Sequence, residues 1–427
     1  MKNFKLGYAK VCITPPMGVE LAGYGAIRAA TSVHDDLFAR VIVLEACGED
    51  FVFVQCDLLG LDYAFTDKVK TQAQEKFAIN PKNISVGTTH THSGPKGLLQ
   101  DVEGLSEINA NFRGRYNEEL CNSYFEAINN AIDAALSNKC DGTMRPGQIE
   151  AHGIATNRND KEKTGDTNLT AIEFIRTDGK KVLLYNFGCH PTVMHAENTA
   201  VTADWPYGVA KLAEGSEYEM TVFFNGSAGD VSTRFTREAP TFENMERLGA
   251  MCHDYIKKAL DSAKADEIVN IKVDAFTHKI KLKKIDSIPA AIQKLEHYKK
   301  ALDESAARGE SNIRAFQSKV EGATLNLAMS ESLADAGEYN ELRVQLVSLN
   351  DFVFVFVPCE LFSALTNPLK ALMGKNILFV TYSNGYMGYV CDKSAYDAET
   401  YEALSSPFER GEGELFIEAI AERLRSI

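Results

Sequence analysis

The chain has 427 residues, 45% of them hydrophobic, enough for one large domain or two ordinary ones with a core that needs no disulfide staples. Its 45 Lys and Arg against 59 Asp and Glu give a net charge of −14, which argues against nucleic acid and against docking on anionic lipid through a basic patch. Nine scattered cysteines without a CxxC pair read as reduced core residues of a cytoplasmic protein, the N-terminus lacks the apolar stretch of a signal peptide, and the most apolar run, Phe352–Val357, is too short to cross a bilayer as a helix.

In chain order, residues 4–13 read as a strand stopped by Thr14-Pro15-Pro16, and Ala22-Gly23-Tyr24-Gly25 as a loop whose backbone can approach a ligand closely. Residues 39–44 and 51–58 form a hairpin, 62–77 a helix and 84–86 a short strand. That strand runs into His90-Thr91-His92-Ser93-Gly94-Pro95. Two imidazoles two positions apart share a face and suit a divalent metal site, one His ligating and the other placed to move a proton. Alone, such a pair more often marks hydrogen-bonded or exposed histidines.

Residues 116–136 pattern as an amphipathic helix with Leu120, Tyr124, Ile128 and Ile132 inward. Strands over 147–157, 169–176 and 181–187 follow, the last delivering Gly188-Cys189-His190-Pro191. Asp204 caps a helix with Pro206 in its first turn, residues 221–224 make a strand leading to Asp230-Val231-Ser232, and 242–262 is a second amphipathic helix. After a strand over 269–282, the Ala-, Glu-, Lys- and Gln-rich stretch at about 287–338 reads as an inserted helical hairpin with a solvated charged face. Strands at 342–349 and 352–357 end at Pro358-Cys359-Glu360, followed by a helix to about 373, a strand over 376–382, the loop Ser383–Tyr389 and a closing helix. Neither a linker nor an internal repeat is visible. The fold class is α/β, mixed β-sheets in the core covered by helices, as one domain over residues 1–427.

At His90, His190, Ser232 and Glu360 a strand enters a Gly- or Pro-containing loop bearing a polar, reactive side chain. Strand ends are where mixed α/β architectures build sites, so one convergent site is expected. His195, His253, His278 and His297 read as ordinary surface or helix residues, and Cys359 as core.

These motifs, with Ile13-Thr14-Pro15-Pro16, His34-Asp35, Asp57-Leu58-Leu59-Gly60 and Asn384 to Glu402, together resemble the neutral/alkaline ceramidases, zinc amidases that cleave the N-acyl bond of ceramide. The resemblance covers nearly the whole chain as one catalytic domain. It implies that His90, His190, Glu360 and Tyr389 ligate a single catalytic Zn2+, that His92 is a neighbouring or acid/base histidine, that Arg158 is a polar group at the site and that Tyr401 donates to the developing oxyanion. Ser232 matches a serine cast as nucleophile, a role that zinc-bound water can equally fill. Thr233, Lys96 and Cys359 depart from the family pattern without removing a ligand. Secreted ceramidases carry a signal sequence and a C-terminal immunoglobulin-like domain, neither of which is expected here. His34 resembles a residue that helps hold a second, structural ion, which is not expected without the partner carboxylates of that domain.

The expected chemistry is zinc-dependent amide hydrolysis of a small or lipid-like N-acyl substrate, whether ceramide or a small soluble amide. The alternatives are a metal-dependent ester or phosphoester hydrolase and a non-catalytic binding protein with a structural zinc.

Overall fold

The computed structural model describes residues 4–101, 106–266, 271–310, 312–333, 337–374 and 376–426. The main sheet has eight strands in the order Met220–Asn225, Lys181–Phe187, Asn168–Arg176, Cys140–Glu150, Phe4–Cys12, Phe38–Ala46, Glu49–Cys56 and Ile84–Thr88. Its outermost pair at each edge is parallel and the strands between are antiparallel. A second sheet orders Ile271–Lys281, Tyr339–Leu349, Phe352–Phe356 and Ile377–Val380, again with its last pair parallel.

One connectivity therefore occurs three times: an antiparallel hairpin, a crossover containing a helix, and a third strand parallel to the second. The units are 38–46/49–56 with 84–88, 168–176/181–187 with 220–225, and 339–349/352–356 with 377–380. Parallel pairing requires such a crossover and aligns the C-terminal ends of the paired strands. The ends are drawn together by backbone bonds: Thr381 N–H donates to Asn225 O, Asn384 N–H to Val86 O, and the Asn225 side-chain amide to Thr89 O.

The two sheets enclose an apolar core in which Phe53, Phe224, Phe354 and Phe356, drawn from all three units, pack with ring centroids 5.7–6.5 Å apart. Alternating apolar positions supply this face, and the near-continuous burial of the parallel strands reflects helices on their other side. Helices Tyr63–Phe77 and Glu118–Ser137 cover the first unit, Trp205–Ala213 and Phe242–Asp261 the second, and Ser363–Met373 and Glu412–Leu424 the third.

The mixed α/β architecture agrees with the sequence reading, with local corrections. The strand expected over 147–157 occupies Cys140–Glu150, and only Thr156–Asn157 of the remainder pairs, with Val231–Ser232. Short helices at Glu107–Arg113, Lys393–Asp397 and Tyr401–Ser405 have too few turns to leave a periodic signal. Helices Ile288–Arg308 and Ile313–Ser332 form the hairpin, but its face is not wholly solvated: Gly322 packs on the Tyr401–Ser405 helix, and Arg314, Gln317 and Glu321 line a cavity.

Candidate metal centre

His90 follows Ile84–Thr88 after one residue, Thr89, and sits at φ 69°, a left-handed conformation uncommon for a non-glycine residue. The two imidazoles therefore share a side through a kinked loop rather than through strand alternation; their centroids are 5.0 Å apart. The kink is enforced: Nδ1 of His90 meets Leu59 O at 2.7 Å, and its ring stacks on Tyr382 at 3.9 Å. Gly23, at φ 89°, backs against His92 so closely that a Cβ there would fall 2.3 Å from the ring. Arg28 ties both loops by donating to Ala22 O and His92 O.

His190 leaves Lys181–Phe187 and pairs through its backbone with Ser232. Its Nδ1 lies 2.6 Å from Ala228 O. Glu360 leaves Phe352–Phe356, and its backbone pairs in parallel with Tyr389, placing those residues side by side. Gly229 is required beneath it, because a Cβ there would meet Glu360 O at 2.5 Å.

Glu360 Oε2 lies 3.2 Å from His90 Nε2 and 3.0 Å from His190 Nε2. A carbonyl can only accept, so each Nδ1 facing one carries the proton, and each Nε2 of a neutral ring is an acceptor. Burial, then Arg158, pushes the His190 pKa down to about 4, so that ring is neutral near pH 7. Two acceptor nitrogens facing a carboxylate oxygen repel unless a cation sits among them. His90 Nε2 and both nitrogens of His92 are buried without hydrogen-bond partners, and His90, His92 and His190 offer ligand atoms within 4.8 Å of one another. Two imidazoles and a carboxylate are a donor set of the kind that suits a divalent transition metal, and carbonyls behind the rings orient them as such sites require.

The other expected residues surround this cluster. Arg158 donates to Tyr389 Oη at 3.0 Å and lies 3.5 Å from His190 Nε2, and its Nε reaches Glu402 Oε1 at 2.5 Å. Tyr401 packs against Tyr389 with ring centroids 5.8 Å apart. Burial raises the Tyr389 and Tyr401 phenol pKa values, so both stay protonated. Ser232 Oγ accepts from the Arg234 backbone N–H at 3.2 Å, a loop-capping bond. All eight expected residues thus meet in one region.

Three partners were missed. Tyr386 donates to Glu360 Oε1 at 2.5 Å, Glu402 is the buried counter-ion of Arg158, and Tyr382 supports His90. Only their nearness to Tyr389 and Tyr401 in the chain hinted at them. His195 corrects the expectation of an ordinary residue, since it contacts Arg237 and lines the cavity. His253 and His297 lie on helices, and His278 lies on a strand against Phe416. Cys359 is buried. His34 binds Asp35 at 2.8 Å and stacks on Phe242.

A cavity of about 540 Å³ opens onto the cluster. His92, Arg158, Ser232 and Tyr389 line its floor, Tyr24 and Thr192 its walls, and Leu302, Arg314, Gln317 and Val320 of the helical hairpin its roof. No helix among the described residues is long and apolar enough to cross a membrane.

Residues 4–236 match the profile of the neutral/alkaline non-lysosomal ceramidase N-terminal family. Rice neutral ceramidase is 27% identical over 231 residues, 51% of this chain but 29% of the rice protein, and neutral ceramidase 2 of Arabidopsis thaliana is 26% identical over 32% of its own length. The chain thus matches about a third of the length of these plant relatives. The Pseudomonas aeruginosa neutral ceramidase is 21% identical, spanning 94% of this chain and 69% of its own. A crystal structure of neutral ceramidase from that organism has the same fold, with a TM-score of 0.75 at 19% identity over 100% of this chain and 75% of that one. A ceramidase structure complexed with C2 gives a TM-score of 0.73 at 17% identity. With more than half of its length matching the profile, the chain belongs to the neutral/alkaline non-lysosomal ceramidase family.

Proposed function

We propose that the protein is a zinc-dependent amidohydrolase that cleaves an N-acyl amide, as its ceramidase relatives are named for doing. The observation carrying this reading is the apposition of His90 Nε2, His190 Nε2 and Glu360 Oε2, an arrangement of acceptors that calls for a cation. Zinc bound there would supply a Lewis acid that polarises the amide carbonyl and acidifies a water. His90, His190 and Glu360 would hold it, with Tyr389 beside them, its oxygen oriented by the Arg158 donor. His92, a neutral ring with both nitrogens unpartnered, takes a proton as the nucleophile adds and returns it to the departing amine. Tyr401, protonated, and Arg158 donate to the oxyanion that develops on the carbonyl oxygen. Ser232 caps its own loop by accepting from the Arg234 N–H and pairs through its backbone with His190, a supporting role in which water is the nucleophile.

The cavity at His92 and Tyr389 favours a working site over a closed structural zinc, which four protein ligands would seal. The test is a panel of N-acyl amides, esters and phosphoesters with the metal content measured alongside. Amide turnover that disappears with a chelator and returns with zinc is expected. Amide turnover that survives complete metal removal, or preferential cleavage of the esters or phosphoesters, overturns this reading.

A further inference from the structure

Two arginines facing the cavity have no ion-pair partner among the described residues. Arg234 and Arg237 follow Ser232 on the same loop, and carboxylates reach them only at longer range, Glu402 acting on Arg234 and Asp204 on Arg237. Arg158 and Arg314, in contrast, are paired with Glu402 and Glu321. Arg234 donates to Arg158 O at 3.2 Å, while Arg237 donates to Thr192 O at 2.8 Å and contacts His195 Nε2. These are neutral acceptors, and a guanidinium has five N–H groups, so donors remain on both. Glu197 also borders the cavity, but its side chain is 85% exposed and lies 4.0 Å from His195. Burial, then neighbouring guanidinium groups, lowers the pKa of Arg234, a sign that like charges crowd this wall.

The cavity wall combines the rings of Tyr24, Tyr389 and Tyr401 with Arg234, Arg237 and Arg314. Among the described residues its aliphatic lining beyond Gly23 is Ala196, Leu302 and Val320. A carboxylate there would gain charge-assisted, fork-shaped hydrogen bonds from the two arginines.

We propose that the substrate carries an anionic oxygen group, bound by Arg234 and Arg237, beside its scissile amide. This rests on the amidohydrolase reading and narrows its substrate class. The group can belong to the amine half, as in an N-acyl amino acid, or to the acyl half, as in the monoamide of a dicarboxylic acid. Hydrolysis adds water across the C–N bond, the oxygen going to the acyl carbon and a proton to the amine, and the anionic group is unchanged.

The test compares N-octanoylglycine, its neutral analogue octanoylglycinamide and N-octylsuccinamic acid on the zinc-loaded protein, reading cleavage of the octanoyl or succinyl amide. At least one anion is expected to exceed the neutral amide in kcat/KM by roughly tenfold or more, and which one does so assigns the charge to the amine or the acyl half. Arg234→Gln with Arg237→Gln is expected to cut that preference by roughly 10- to 100-fold. Equal cleavage of neutral and charged amides, or a double variant that slows both alike, overturns the proposal. If no amide is cleaved, the amidohydrolase reading fails by itself, and calorimetric binding of the same three compounds decides the rest. Selective binding of an anion sustains the arginine site, and equal or absent binding removes it.

Discussion

The floor and the roof of the cavity are built in opposite ways. On the floor, each of the three residues proposed as ligands is held by a second group: Leu59 O behind His90, Ala228 O behind His190, and Tyr386 on Glu360. All three grow from the ends of buried strands. The roof is a pair of helices whose second member starts at Asn312 without a side-chain cap bond, and whose buried residues are mostly small or polar. A site that must hold a cation within tenths of an ångström needs a rigid base, while a surface that admits substrates of varied length can be lighter.

The most damaging change should strike the floor. Glu360→Gln keeps the shape and removes the charge facing the two imidazoles, so bound zinc measured by mass spectrometry should fall and amide turnover drop roughly 10³-fold, several kcal/mol in the barrier. Full activity with full zinc in this variant would show that Glu360 is not a ligand. Arg158→Met should be nearly as costly to stability, because it leaves the Glu402 carboxylate, 1% exposed, buried without a counter-ion. Urea unfolding should register a loss of about 3–5 kcal/mol. Adding Glu402→Leu should restore most of that stability without restoring activity; failure of the rescue would mean that Arg158 acts through packing alone.

Much of the floor was legible in the sequence and little of the roof. His90, His190 and Glu360 could be found because each lies where an apolar strand meets a Gly- or Pro-bearing loop, a pattern that survives when identity is low. The threefold recurrence of hairpin, crossover and parallel strand was invisible, since it resides in connectivity while the three units differ in sequence and loop length. Tyr386 and Glu402 were missed because an isolated phenol or carboxylate in a loop or short helix is indistinguishable from packing or solvated charge until its partner is known. The hairpin itself was readable from helical spacing, but not which of its charged residues turn inward, because its cavity-facing side is polar.

A milder change should separate roof from floor. Gly322 on the hairpin touches the backbone and side chains of the Tyr401–Ser405 helix, where a Cβ would lie 2.9 Å from Leu404 Cβ and 3.1 Å from Tyr401 Cα. Gly322→Leu should force the hairpin outward at an overpacking cost of about 1–3 kcal/mol. Zinc content should stay intact while KM rises, about tenfold if the whole displacement falls on substrate contacts. Loss of zinc in this variant would mean that the roof supports the ligands after all.

The smallest expected effect tests whether the roof unfolds independently of the sheets. Ser287 caps the first hairpin helix, accepting from the Ala290 N–H at a long 3.4 Å. Ser287→Ala should therefore cost about 0.5–1 kcal/mol, the lower part of the range for lost caps. If the hairpin opens locally, that loss appears as faster amide exchange over residues 288–308 with unchanged exchange in the strands, and the global unfolding midpoint stays put. If the two regions open together, the midpoint falls with the exchange rates, and the contrast between a fixed floor and a separately opening roof does not hold.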